Sequence, residues 1–103
     1  IMKEEPFGPL VPVLTFKDFD EVVERANNND LGLCSYLYTN SMDKANRASE
    51  MMETGCVAVN TAAVAVAEAP FGGIKQTGYG REGGSMAIKD YLNIKYTHMG
   101  LKT

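Results

Sequence analysis

The glycine-rich segment GYGREG at residues 78–83 matches the pattern G-x-G-x-x-G through Gly78, Gly80 and Gly83. In dinucleotide-binding domains this pattern follows a strand, opens a helix and is followed about twenty residues later by an acid that binds ribose hydroxyls. Here the preceding residues are polar and broken by glycine, and Gly100 and Leu101 stand where the acid is needed. We therefore expect the glycines to shape a long ordered loop, with pyrophosphate binding as the alternative.

Two cysteines and one histidine are the other residues with evident chemical potential. Cys34 and Cys56 lie in apolar, strand-favouring runs without metal-ligand spacing, so we expect two buried thiols in a reducing compartment, without a disulfide or a metal site. His98 has no neighbouring residue that would complete a catalytic or metal site. We expect it at the surface or in an interface.

Composition excludes several classes of partner. Ten basic and thirteen acidic residues give a net charge of −3, and no block of Lys and Arg is present that would neutralise a nucleic-acid backbone. The longest apolar stretch, residues 56–67, is interrupted by Asn60 and Thr61 and is too short to cross a bilayer. These features predict a soluble cytoplasmic protein that binds neither nucleic acid nor membranes. The opening IMKEEPFGP begins in mid-pattern, as in a piece of a longer protein.

The periodicity of the first sixty residues predicts the elements that position these side chains. The expected order is β-α-β-α-β, which short connections convert into a small parallel three-stranded sheet with flanking helices, an α/β fold. Asp18 is the expected cap of the first helix, and Asn40 or Ser41 of the second. The predicted segments are a strand at 11–16, a helix from 18 to the asparagines at 27–29, a strand at 33–39, a helix from 42 to Gly55 and a strand at 56–60.

The last part of the chain carries a separate pattern. We expect a short helix capped by Ser85, followed by a strand over residues 92–99. On that strand Leu92, Ile94, Tyr96 and His98 alternate with more polar residues. The strand either pairs back with the sheet or pairs with another chain. We therefore divide the chain into residues 1–84 and residues 85–103.

Two motifs resemble the aldehyde dehydrogenase superfamily: EEPFGP at residues 4–9 and PFGGIKQTGYGREGG at residues 70–84. Between and after them, ANNNDLGLCSYLYT and IKDYLNIKY also resemble segments of that family, the second its oligomerisation strand, so the resemblance covers nearly the whole chain. Within the family the C-terminal part is most similar to the succinate-semialdehyde dehydrogenase branch. That branch carries a serine for the substrate carboxylate in the loop where this chain has Ala65 and Val66.

The resemblance implies a division of labour between this chain and residues upstream of it. Family enzymes attack an aldehyde with a cysteine thiolate, transfer a hydride to NAD or NADP and hydrolyse the resulting thioester with water activated by a glutamate. The nucleophile, the general base and the Rossmann-like cofactor domain precede the part that this chain matches. The resemblance therefore assigns no catalytic residue here, and it predicts that the 103 residues alone are inactive and bind no cofactor tightly.

The resemblance does assign residues to the walls of the site. Glu5 matches the glutamate that accepts hydrogen bonds from the nicotinamide ribose, and Phe7 matches an aromatic residue beside the nicotinamide ring. Phe71 matches an aromatic residue of the substrate tunnel, and Ala63 and Ala65 fall where relatives place larger pocket residues. In each case the alternative is an ordinary loop or core residue.

Four further residues are weighed in the same way. Asn60 ends the third strand beside the expected catalytic centre and is assigned to the substrate tunnel, or else only satisfies backbone groups of a turn. Lys75, Arg81 and Glu82 match positions that brace the glycine-rich loop by charge-assisted hydrogen bonds, with solvent-exposed charges as the alternative.

Two functions of different classes follow. The first is the C-terminal part of an aldehyde dehydrogenase that oxidises a small-molecule aldehyde, with succinate semialdehyde as the expected substrate and residues 90–99 as a homo-oligomer contact. The second is a freestanding oligomerisation module without catalysis.

Overall fold

A computed structural model describes residues 4–102 of the chain. In chain order, its elements are helix α1 (Phe19–Asn27), strands β1 (Leu31–Gly32) and β2 (Cys34–Leu37), helix α2 (Met42–Met51), strands β3 (Cys56–Val59) and β4 (Ile74–Lys75), and a 3-10 helix (Ala87–Tyr91). The arrangement is a small α/β fold, as predicted. Over residues 4–102, no helix combines the length and the apolar character needed to cross a bilayer.

The centre of the fold is the β2-α2-β3 unit. Strands β2 and β3 pair in parallel, in a register that places Cys34 opposite Cys56 and Leu37 opposite Val59. Helix α2 begins where the Ser41 hydroxyl accepts a hydrogen bond from the Lys44 N–H at 3.3 Å. The sequence predicted both strands, and of its two candidate caps the structure selects Ser41. The small core consists of buried Val23, Ala45, Ala48 and Ala58.

Helix α1 packs beside α2 and begins at its predicted cap. The Asp18 carboxylate accepts a hydrogen bond from the Glu21 N–H at 2.9 Å, and the helix ends at Asn27. The Asn27 side chain then terminates α2: its Nδ2 donates to the Met51 carbonyl at 2.7 Å, and its Oδ1 accepts from the Glu53 N–H at 2.8 Å. This contact satisfies backbone groups that a longer helix would have used. The prediction that α2 extends to Gly55 was therefore wrong.

The predicted strand at residues 11–16 does not form in this chain. These residues are exposed, Val11 to 84%, and belong to no strand in the described structure. A strand requires a hydrogen-bonding neighbour, and although β2 and β3 each have an open edge, neither pairs with residues 11–16. The sheet is therefore two-stranded rather than three-stranded.

A second, antiparallel sheet was not predicted. Strand β1 pairs with β4, with Leu31 opposite Lys75 and Gly32 opposite Ile74. Each strand has two residues, which is too short for an alternating pattern to be visible in the sequence. This pairing anchors the glycine-rich segment to the segment between α1 and β2.

The C-terminal segment differs from its prediction in two ways. The helix predicted after Ser85 is a single 3-10 helix that follows Met86 without a side-chain cap. In the described part of the chain, residues 92–99 form no strand, and Ile94 is fully exposed. Their alternation nevertheless places Tyr96 and His98 on one side, where the Tyr96 hydroxyl lies 3.4 Å from the His98 Nδ1.

Candidate functional site

The candidate site begins at Asn60, the residue that follows β3. Its backbone adopts a left-handed conformation with φ of 57°. Its side chain pairs with Thr39 at the end of β2: Oδ1 accepts from the Thr39 N–H at 2.8 Å, and Nδ2 donates to the Thr39 carbonyl at 2.9 Å. Asn60 therefore ties together the carboxyl ends of two parallel strands, where open α/β sheets bind ligands. The side chain thus satisfies backbone groups of Thr39, and a place for Asn60 in the substrate tunnel stays a prediction.

The segment that leaves Asn60, residues 61–69, is called here the alanine loop. Ala63 and Ala65 are both exposed. The Ala63 N–H donates to the Thr61 hydroxyl at 3.1 Å, which fixes the first turn of the loop. Because their side chains end at Cβ, these two positions add little side-chain volume to the loop.

Phe71 lies between the alanine loop and residues 72–84, which form the glycine loop. Backbone hydrogen bonds at Phe71 hold the end of the alanine loop against the glycine loop. The Phe71 N–H donates to the Glu82 carbonyl at 2.7 Å, and the Glu82 N–H donates back to the Phe71 carbonyl at 2.8 Å. The Gly84 N–H also donates to the Ala67 carbonyl at 2.8 Å. Phe71 is half-buried and faces an open depression of about 340 Å³, which the glycine loop, Asp90 and Tyr91 also line.

Arg81 braces the glycine loop from within. Its Nη1 donates to the carbonyls of Gly73 at 2.8 Å and Gly80 at 2.7 Å. Its backbone N–H donates to the Asp90 carboxylate at 2.9 Å. The predicted bracing role of Arg81 is therefore present, whereas Glu82 acts through its backbone rather than through its exposed carboxylate.

Lys75 attaches the glycine loop to the end of α1. Its Nζ donates to the carbonyls of Asn27 at 2.8 Å and Asn29 at 3.0 Å, and it forms an ion pair with Glu53 at 2.6 Å. Carbonyls at a helix C-terminus favour a cation. Because the Glu53 side chain is half-exposed, that ion pair contributes about 0–1 kcal/mol, and the carbonyl contacts carry the attachment.

The G-x-G-x-x-G glycines serve the shape of this loop. Gly78, Gly80 and Gly83 have φ values of 116°, 85° and 72°, a region that side chains with a Cβ rarely adopt. The element after them is the five-residue 3-10 helix, not the long helix whose first turn holds a pyrophosphate in dinucleotide-binding domains.

Glu5 and Phe7 lie on the N-terminal segment, apart from the alanine loop. Glu5 is exposed, and the Phe7 ring is 93% exposed, so this chain does not pack that ring against Ala63, Ala65 or Phe71. Both side chains are open to groups outside the chain. Within residues 4–102, no cluster of three or more His, Cys, Asp or Glu side chains could hold a metal ion.

The thiols of Cys34 and Cys56 stand side by side at the opposite end of the β2-β3 pair. Both are free, and both are half-buried rather than buried as the sequence predicted. Burial raises the pKa of the Cys34 thiol above its ordinary value, and the neighbouring Cys56 thiol raises the pKa further. The sequence did not predict that the two thiols are neighbours. The signal for it is that each cysteine opens a strand of one β-α-β unit.

Comparison with known proteins gives a consistent match. Residues 1–97 match the aldehyde dehydrogenase family. Over 100 residues the chain is 52% identical to 3-sulfolactaldehyde dehydrogenase of Pseudomonas putida, covering 97% of this chain and 21% of that protein. It is 46% identical over 101 residues to the NADP(+) succinate-semialdehyde dehydrogenase of Escherichia coli, covering 98% and 21%.

Comparison of the fold with solved structures identifies the same family. The crystal structure of succinate-semialdehyde dehydrogenase from Burkholderia pseudomallei superposes with a TM-score of 0.88 at 45% identity, covering 93% of this chain and 20% of that one. The chain thus spans about a fifth of the length of these relatives.

Proposed function

Because this chain belongs to the aldehyde dehydrogenase family, we propose that it is the C-terminal part of an enzyme that oxidises an aldehyde to a carboxylic acid with NAD or NADP. Residues 1–84 contribute to the catalytic domain, and residues 85–103 to assembly of the enzyme in the cytoplasm. The nucleophilic cysteine and the general base belong to the rest of the protein, so the 103 residues alone have no catalytic activity. The observation that carries the proposal is the β2-α2-β3 unit leading through Asn60 into the alanine loop, in a chain matched almost throughout to this family.

The alanine loop and Phe71 are the proposed contribution to the substrate tunnel. Asn60 fixes where the loop leaves the sheet, and the backbone pair between Phe71 and Glu82 fixes where it returns. A wall held at both ends keeps the aldehyde oriented, which is the condition for rapid attack by a nucleophile. Small side chains at Ala63 and Ala65 leave room for the end of the substrate remote from the aldehyde.

We take the substrate to be a short aldehyde that carries an anionic group, with succinate semialdehyde as the first choice. The two relatives compared above are named for 3-sulfolactaldehyde and succinate semialdehyde, which carry a sulfonate and a carboxylate. Residues 60–71 contain no Lys or Arg. A cation that pairs with the anionic group must therefore come from outside residues 60–71, with the alanine loop supplying space rather than charge.

Glu5 and Phe7 are the residues of this chain that would hold the cofactor. A carboxylate is an acceptor-only group and suits the two hydroxyl donors of a ribose, and an exposed aromatic ring offers a flat surface to a nicotinamide. When bound, the cofactor supplies the hydride acceptor. Both side chains are unobstructed, so the segment fits this role.

Residues 90–99 are the proposed contact between subunits. Tyr91, Ile94 and Tyr96 are all more than four-fifths exposed, and an extended apolar segment of this kind readily pairs with another strand. The contact is proposed for a homo-oligomer, in which each copy contributes the same segment.

The test is steady-state kinetics on the natural protein at full length, followed through the absorbance of the reduced cofactor. Succinate semialdehyde, 3-sulfolactaldehyde and neutral butyraldehyde are each supplied with NAD and then with NADP. We expect kcat/KM to be at least about tenfold higher for an anionic aldehyde than for butyraldehyde. The 103-residue chain is the matched inactive control. Oxidation of none of the three aldehydes would contradict the proposal.

A further inference from the structure

The parallel register of β2 and β3 makes Cys34 and Cys56 direct neighbours across the sheet. Side chains of register partners project from the same face of a sheet, and neighbouring strands lie about 4.8 Å apart. Disulfides join residues whose Cα atoms are separated by about 4.4–6.8 Å. The register of the two strands therefore places the Cα atoms of Cys34 and Cys56 within the range that a disulfide can span.

Both thiols are free and half-buried, so each retains access to a small solute. The Cys56 thiol is also linked to the candidate site, because its Sγ lies 3.7 Å from the Gly72 carbonyl at the start of the glycine loop. A bond between Cys34 and Cys56 would remove the S–H donor from that carbonyl. The state of the thiol pair is thus coupled to the loop that closes on Phe71.

We propose that Cys34 and Cys56 form a peroxide-sensitive dithiol that closes to an intramolecular disulfide. The thiolate of one cysteine attacks an oxygen of hydrogen peroxide, which gives a sulfenic acid and hydroxide. The sulfur of the other cysteine then attacks the sulfenic sulfur, forms the S–S bond and displaces the oxygen as water. Overall, the two thiols lose two electrons and two protons, and one peroxide is reduced to two waters. The reaction requires neither the cofactor nor the aldehyde.

General strand geometry predicts that the bond is readily reversed. A disulfide needs Cβ atoms about 3.8 Å apart, which is closer than the strand spacing, so β2 and β3 must draw together when it forms. Bonds under such strain are easier to reduce, and labile disulfides of this kind are the regulatory ones. We therefore expect a thiol reductant to restore both cysteines.

The test is peptide mapping of the full-length protein after treatment with hydrogen peroxide, without reduction. Trypsin cleaves after Arg25, Lys44, Arg47 and Lys75, so Cys34 falls in the peptide 26–44 and Cys56 in the peptide 48–75, each as its only cysteine. We expect these two peptides to appear joined, with the loss of two hydrogens, and to separate after treatment with a thiol reductant. The variants Cys34→Ser and Cys56→Ser should give no joined peptide and should stop at a sulfenic acid that dimedone traps.

The matched control moves one thiol to the other face of the strand. The double variant Cys34→Ser/Ser35→Cys keeps one cysteine in the peptide 26–44 but places it opposite Val57 rather than Cys56. Cross-linking in this variant should be at least about tenfold slower, because its side chain projects away from Cys56. Equal cross-linking rates in this variant and the natural protein, or oxidation of the natural protein to sulfinic acids without a joined peptide, would overturn the proposal. An unchanged melting temperature shows that the variants remain folded.

Discussion

At the scale of single residues, Asn60 has a structural role, since it joins the ends of β2 and β3, and it also lies at the start of the proposed tunnel wall. One of its two N–H donors and one of the two acceptor sites on its oxygen are bonded to the Thr39 backbone, which fixes the orientation of the amide. The residue still determines where the alanine loop starts. Its contribution to the proposed chemistry is therefore one of position, which a sequence pattern does not distinguish from direct contact.

Gly55 is the residue at which the structure tolerates a side chain least. A Cβ at this position would collide with the Gly72 carbonyl and the Gly73 Cα, both of them backbone atoms of the glycine loop. The variant Gly55→Ala must therefore push the loop away from β3. Overpacking of this kind costs about 1–3 kcal/mol of the free energy of unfolding.

We expect Gly55→Ala to lower the melting temperature of the full-length protein, measured by calorimetry, and to lower kcat/KM for the aldehyde. Gly100→Ala is the control, since nothing lies within 4 Å of a Cβ built at Gly100. Its effect on the free energy of unfolding should stay within about 0.5 kcal/mol. Equal losses of stability in the two variants would show that the contact between Gly55 and Gly72 is not formed.

At the scale of elements, the β2-α2-β3 unit could be predicted because its signals are local. Strand-favouring runs follow Gly32 and Gly55, and Ser41 stands where a cap is needed. The contacts that position the candidate site are not local. Lys75 reaches the Asn27 carbonyl over 48 positions of sequence, and β1 and β4 are too short to carry a pattern. Neither residue propensities nor the hydrophobic periodicity of a sequence predicts contacts between segments so far apart in the chain.

The strand expected at residues 11–16 failed for a different reason. Its composition favours a strand, but composition does not supply a neighbour, and within residues 4–102 no strand pairs with it. The wall residues Glu5, Phe7, Ala63, Ala65 and Phe71 stay predictions from resemblance. Their roles depend on groups that lie outside these 103 residues.

At the scale of the whole molecule, the surface carries more apolar side chains than its small core buries. Phe7, Val11, Val13, Ile94 and Tyr96 are all more than four-fifths exposed, whereas within residues 4–102 only four small or medium-sized hydrophobic residues are buried. Apolar surface of this extent is typical of interaction sites. It agrees with the proposals that Phe7 contacts the cofactor and that residues 90–99 contact a second subunit.

The subunit contact gives a prediction of its own. The variant Ile94→Arg places a charge on the apolar face of residues 92–98, and it should shift the full-length protein to a smaller assembly in sedimentation velocity. Asn93→Arg introduces the same side chain on the opposite face and should leave the assembly intact. A natural protein that is monomeric at micromolar concentration would contradict the contact, as would identical effects of the two variants.

The most direct test of the central claim, that the alanine loop lines the substrate tunnel of an aldehyde-oxidising enzyme, is the kinetics of Ala65→Phe in the full-length protein. The larger ring should fill the space at the remote end of the aldehyde and lower kcat/KM for succinate semialdehyde by at least about tenfold, with the KM for the cofactor unchanged. Ala62→Phe introduces the same ring in the same loop, but not at either of the two positions proposed to leave room for the substrate, and it should retain most of its activity. Unchanged kcat/KM in Ala65→Phe, or equal losses in both variants, would contradict the account.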